Sequence, residues 1–317
     1  MSILNARLSP TPIAFAIGTA ICLLGLAIGI PLGAPLATIV ACSAIMLLGL
    51  PHGTLDLDLF RQEQPGVARP VIFFLYVGFA GAMAGAWLAH PIFALALFFV
   101  LAVAHFGEDW TSTGSTFLAR CTALALLSIP ALTHRTELIA LFSALVGSDA
   151  SAVFVDLLRL MSPVALMVAF VAVGLLWSIG ERPTALGGAL ALIAMGMLPP
   201  VVGFALFFCL FHSPRHLHAG LTSLSLRPSN RHGITIVLLT LAATGIAAII
   251  YSLGTELPAP DRLMTASFTT LSILTLPHMA VPIVLRALRQ RGAGGNVIQP
   301  PSRTFSVTIV HFAPVSR

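Results

Sequence analysis

Charge is what this sequence has least of. Only 9% of its 317 residues are charged, against 57% hydrophobic. Soluble domains carry about a quarter charged residues, so a water-soluble fold is excluded. The chain reads as all-α, a polytopic bundle of transmembrane helices. Lysine is missing, and the 16 basic residues are all arginine. They are scattered, so the formal charge of +5 forms no basic patch for nucleic acid. Cys22, Cys42, Cys121 and Cys209 lie in apolar runs without C-x-x-C spacing, which leaves neither a zinc ribbon nor a dithiol motif. Acids inside the apolar runs occur only beside histidines. That argues against a proton-coupled transporter, which needs carboxylates in its spans. No nucleophile triad, phosphate loop or dinucleotide fingerprint is present.

What is there is apolar length. A span needs about 20 residues to cross a ~30 Å core. Such windows fall near 12–31, 34–51, 70–89, 91–107, 117–134, 162–180, 183–198, 200–217, 231–252 and 263–287. The 12–31 run after Arg7 is too long for a signal peptide and lacks a small-residue cleavage site, so it reads as the first of about ten spans. Pro199-Pro200 divides 183–217 into two helices or one broken helix. Segment 137–160 mixes apolar residues with Glu137, Asp149, Asp156 and Arg159 and reads as interfacial. Residues 1–290 form one membrane domain, and the Gly- and Pro-rich 291–317 reads as an unstructured tail. Gly81 and Gly85 make a G-x-x-x-G, a weak packing signal.

With ten spans, Arg7, Arg61, Arg69, Arg120, Arg182, Arg215, Arg227, Arg231, Arg286, Arg289, Arg291, Arg303 and Arg317 share one side. Arg135, Arg159 and Arg262 lie on the other. The positive-inside rule then puts both termini in the cytoplasm, with the protein in the cell's inner membrane.

Histidines stand out against this background. Pro51-His52-Gly53, His105-Phe106-Gly107, His212-Ser213-Pro214-Arg215-His216 and Pro277-His278 each lie in or at the end of an apolar run. An ionisable group at membrane depth is costly and marks a functional site. All four segments fall in even-numbered spans, toward the inner side. They predict one metal site in the inner half of the membrane, neutral imidazole being a common ligand for iron, zinc and copper. His90, His134, His218, His232 and His311 fall outside this pattern. Asp56 and Asp109 each follow a histidine by four residues, which on an α-helix puts Asp56 beside His52 and Asp109 beside His105. Both are expected to hold a ligand's second nitrogen. Pro214 cannot sit inside a regular helix without disturbing it; Ser213 could cap a new helix there. Pro277 is expected to kink its span beside His278. Phe106 and Phe211, next to candidate ligands, are expected to line a substrate site.

The run Gly49-Leu50-Pro51-His52-Gly53 with Asp56, the run His105-Phe106-Gly107 with Asp109, the run Phe211 to His216, and Leu276-Pro277-His278 closely resemble the Brp/Blh family. Its members are bacterial and archaeal membrane β-carotene 15,15′-dioxygenases. The resemblance covers roughly residues 45–285. It implies a non-haem Fe(2+) enzyme that takes β-carotene and O2 and yields two molecules of all-trans-retinal, with a rhodopsin as a candidate recipient. The four iron ligands of the family map onto His52, His105, His212 and His216, and His278 matches a further motif as an additional site or ligand. The residues alone leave other readings open: a di-iron lipid desaturase or hydroxylase, or a haem-binding or metal-transport membrane protein.

Overall fold

The computed structural model describes residues 10–63, 67–224 and 230–292. Among them all regular structure is helical and no strand occurs. The chain runs through α1 (Pro10–Ala27), α2 (Pro35–Ala44), α3 (Asp56–Glu63), α4 (Arg69–Ala89), α5 (Pro91–Phe106) and α6 (Thr116–Ser128). Next come α7 (Pro130–Thr133), α8 (Arg135–Val146), α9 (Ser148–Ser178) and α10 (Arg182–Met197). Last are α11 (Pro200–Phe207), α12 (Ser213–Leu224), α13 (Asn230–Leu253) and α14 (Ala259–Gly292).

Proline starts many of these helices. α2, α4, α5, α7, α10 and α11 each carry one in their first two positions, where the missing N–H has no intrahelical role. Ser115 caps α6, accepting from the Leu118 N–H at 3.3 Å. After α1 the chain turns through Gly29 at φ 82°, a conformation that glycine adopts without strain.

Seven helical segments among the described residues are long and apolar enough to cross a membrane: 35–62, 70–89, 91–113, 116–133, 148–178, 233–253 and 259–288. Their outer faces are bare hydrocarbon. Phe74, Leu88, Val153, Leu160, Met167 and Leu241 are each more than 60% exposed, which is stable against lipid and not against water. Three of the ten expected spans fall short of this measure. The first ends at Ala27, and its apolar helix, Pro12–Ala27, rises only about 24 Å at 1.5 Å per residue. The 183–198 and 200–217 windows are separate helices that break at Leu198-Pro199 and pack on each other. The second of them also carries the polar His212–His216 run.

The interfacial reading of 137–160 is corrected in part. α8 is a separate short helix, but Asp149, Asp156 and Arg159 lie on α9, one continuous helix of 31 residues with Pro163 inside. At 1.5 Å per residue it is ~46 Å long, well beyond a ~30 Å core, so its polar start needs no separate element. Arg135 on α8 donates two bonds to Asp156, at 2.8 and 2.9 Å. The tail reading is also trimmed, because α14 continues to Gly292; residues 293–317, like Arg7 and Arg227, lie outside the described residues. α14 likewise runs through Pro277 as one helix.

The α10–α11 contact depends on a glycine. A Cβ on Gly203 would come 2.8 Å from the Ala194 carbonyl oxygen, a backbone atom that cannot swing aside. Gly203→Ala is expected to destabilise the fold by about 1–3 kcal/mol, lowering the thermal unfolding midpoint in detergent. An unchanged midpoint would mean that the two helices separate freely.

Candidate metal centre

Five imidazoles meet inside the bundle. His52 comes from the segment after α2, His105 from the end of α5, His212 and His216 from the α11–α12 region, and His278 from α14. The His105 ring centroid is 4.6 Å from His212, 5.3 Å from His216 and 4.6 Å from His278. His52 lies 5.7 Å from His105 and 5.2 Å from His212. His212 is fully buried and His105 is 4% exposed.

Two of these histidines are presented by the same local device. α2 widens into a π-turn at Ile45–Gly49, just before Pro51 and His52. α11 widens into a π-turn at Phe208–His212, just before Pro214. A proline in a regular helix clashes with the carbonyl four residues back, and a widened turn relieves that clash. Such bulges often mark functional sites. Ser213 starts α12, but its hydroxyl donates to the Leu48 carbonyl at 2.9 Å, tying the two π-turns together.

Each of three rings has its Nδ1 engaged on the far side. His52 Nδ1 donates to the Gly49 carbonyl at 2.6 Å. His212 Nδ1 donates to Asp109 Oδ2 and His278 Nδ1 to Asp56 Oδ2, both at 2.7 Å. A proton held on Nδ1 leaves a lone pair on Nε2, the form in which imidazole binds metals. Nε2 of His212 is 2.9 Å from Nε2 of His105. Two donors ~2.0–2.1 Å from one ion and at right angles to each other would be about that far apart. His105 Nδ1 is buried without a hydrogen-bond partner, with Glu108 Oε2 at 3.8 Å. Donor atoms within 4.8 Å of one another form two groups, His52 with His105 and His278, and Asp109 with His212 and His216. This donor set fits a metal ion.

A cavity of about 450 Å³ reaches the first of these groups. Its walls include Phe73, Tyr76 and Gly81 on α4, Phe98 and Phe106 on α5, Phe208, and Ile246 on α13. It is almost wholly apolar, apart from the three histidines, Thr54, Thr275 and Tyr76.

A profile of the family described as beta-carotene 15,15′-dioxygenase matches residues 43–286 of this sequence. The chain belongs to that family. The match begins in α2 and ends in α14, so the family's part of the chain contains all five histidines and both aspartates. One relative within reach is the beta-carotene 15,15′-dioxygenase of uncultured marine bacterium 66A03. It is 27% identical over 262 residues, covering 75% of this chain and 90% of the relative. Another is the probable beta-carotene 15,15′-dioxygenase Blh of Halobacterium salinarum, 26% identical over 283 residues, covering 75% of this chain and 81% of the relative. No solved structure matches.

Within this dioxygenase family fold, the aspartates are not paired as helix spacing predicts. Asp56 serves His278 rather than His52, and Asp109 serves His212 rather than His105. The reason is local. His52 lies in a 3-10 segment, Leu50–Leu55, and Gly107–Thr113 is another. At three residues per turn, positions four apart lie about 120° round the axis instead of one above the other. Each aspartate therefore crosses to a ring on another helix.

The two phenylalanines also separate. Phe106 lines the cavity and meets His212 edge-on, centroids 4.8 Å apart. Phe211 does not line it. Its ring stacks on Trp110 at 5.5 Å, lies under the Arg215 guanidinium, and fills the space that a Cβ on Gly187 would need. Phe208, not singled out from sequence, takes the cavity position. Two more side chains were missed. Tyr76 donates to Asp56 Oδ2 at 3.4 Å, and Arg215 lies 3.7 Å from Asp109 Oδ1. Tyr76 had a signal, since it is one of two tyrosines in the sequence and lies in an apolar span. His218 is exposed.

Proposed function

We propose that this chain adds O2 across the central 15,15′ double bond of β-carotene, giving two molecules of all-trans-retinal, at an Fe(2+) held by His52, His105, His212 and His216. His278 faces the same ion as a fifth imidazole. The observation that carries this reading is the convergence of five imidazoles, three with Nδ1 engaged, beside an apolar cavity that three of them line. The names of the relatives supply the substrate.

Bound iron supplies the one-electron chemistry through which O2 reacts. The protein's part is positioning. One C=C bond and one O2 become two C=O groups, so the reaction balances without a reductant or a net proton. Asp56 and Asp109 are therefore free to orient His278 and His212. A polyene offers no group to hydrogen-bond, so shape alone must set its register, and Phe106 and Phe208 provide the walls next to the histidines.

Producing the chain in a bacterium that makes β-carotene, then extracting and chromatographing for retinal, tests the reading. Undiminished β-carotene with no retinal would sink it. The two donor groups favour one second reading, a di-iron lipid desaturase or hydroxylase. Metal analysis separates the two: one iron per chain is expected here, two for the di-iron enzyme. A Soret band would instead indicate haem.

The same reading places the protein in the cell membrane with both termini cytoplasmic. α10 and α11–α12 follow one another as a pair, so the orientation does not depend on whether that pair crosses, but it requires the short α1 to cross along with the seven longer segments. A reporter active only outside the cytoplasm, fused after Arg317, should stay silent; a strong signal would overturn the orientation. The retinal formed would suit a rhodopsin partner, detectable as pigment when the two are produced together.

A further inference from the structure

We propose that a long hydrocarbon substrate reaches the histidines sideways from the bilayer, through an opening between α4 and α13, and that Gly81 sets whether it can pass. This rests on the function proposed above. The cavity that holds His52, His105 and His278 extends outward to Phe73, Val77 and Gly81 on α4 and to Ala242 and Ile246 on α13. These outer residues are surface residues: Phe73 is 51% exposed, Val77 49% and Ile246 36%, and Gly81 and Ala242 are exposed as well. Both helices are candidate spans with bare apolar faces, so the mouth opens where lipid chains lie. α14 packs against both helices, whereas α4 and α13 have no extensive contact with each other. The gap between them is floored by Leu271, Leu274 and Thr275 on α14. At the inner end is His105, buried, with an unpartnered ring nitrogen.

The chemistry of the wall selects the occupant. Apart from the histidines, no charged side chain among the described residues lines the cavity. The outer part, Phe73, Val77, Gly81, Ala242 and Ile246, offers no partner for a phosphate or carboxylate headgroup, so the passage fits a hydrocarbon that is apolar along its length. Its volume lies within the usual range of ligand pockets, about 300–1,000 Å³. Gly81 narrows the choice further. A Cβ built there meets nothing within 4 Å, so the space beside it is free for ligand. Gly78, one turn earlier, is equally unobstructed but does not line the cavity.

That pair gives the test. Wild type, Gly81→Trp and Gly78→Trp are purified in detergent, incubated with β-carotene without O2, and the retained pigment is read by absorbance. Iron content is measured alongside. Wild type and Gly78→Trp should retain equal pigment, and Gly81→Trp about ten-fold less, or ~1.4 kcal/mol of binding, with iron unchanged. Wild-type retention by Gly81→Trp would overturn the proposal. So would an equal loss in Gly78→Trp, which would place the effect in the helix and not the opening. Bound phospholipid in place of β-carotene in the wild type would overturn it as well. Pigment taken up by the wild type but yielding no retinal when air is admitted would sink the cleavage reading and leave the lateral opening standing.

Discussion

His212→Ala is expected to abolish retinal formation and strip the metal, with the protein still inserted in the membrane. Its ring is the hub of the cluster: fully buried, 4.3 Å from His216 and 4.6 Å from His105 by centroid. Removing it deletes a donor and takes from the buried Asp109 its shortest contact, leaving only His216 at 3.5 Å and Arg215 at 3.7 Å, which itself costs stability. His52→Ala, His105→Ala and His216→Ala should give the same two losses. His278→Ala is the informative fifth variant. It shares the cavity face with His52 and His105, and its loss of iron should match theirs. Full iron occupancy in any of these variants, measured on purified protein, would remove that residue from the metal's ligands.

Asp109→Asn should be the most damaging change outside the histidines. Loss of a carboxylate behind a metal-bound imidazole costs about 10–100-fold in metal affinity or activity. Asp109 should fall at the upper end, because it meets His212 at 2.7 Å, His216 at 3.5 Å and Arg215 at 3.7 Å. Asp56→Asn should fall at the lower end, since its partners are His278 and the more distant Tyr76 hydroxyl. Double-mutant cycles on iron affinity read the pairing directly. Asp109 should couple to His212 and Asp56 to His278, by about 0.5–3 kcal/mol. Coupling of Asp56 to His52 instead would show that the two rings have exchanged partners in the metal-bound protein.

That pairing also marks what could be read from the sequence. The helical class followed from apolar run length, and His52, His105, His212, His216 and His278, expected together from their places in or at the ends of apolar runs, do lie together. Both are matters of coarse periodicity and depth. What failed was phase. The aspartate partners were assigned by α-helical spacing in segments that wind as 3-10 helix, and Phe211 was placed beside the cavity although a π-turn directs it at Gly187. Changes of winding leave little trace in composition, and only Pro51 and Pro214 hinted at them. The extent of α9 was hidden for a different reason. Its polar first turns look like an interface, and the Arg135–Asp156 pair that explains them joins two helices. Gly81 read only as a weak packing signal because its open side faces a cavity that no single helix reveals.

The two π-turns carry an implication for how such a site can be altered. A π-turn holds one residue more than an α-helix would need over the same rise. Deleting Leu48 or Leu210 would let α2 or α11 run on as regular helix, still apolar and still membrane-embedded. The segment beyond would nearly keep its place, because the widened turn takes up the extra residue locally, but Pro51 or Pro214 would lose the room that the turn provides and meet the carbonyl four residues back. In each of these two helices a single inserted residue makes room for the proline beside a histidine, and its loss would strain the backbone that presents His52 or His212.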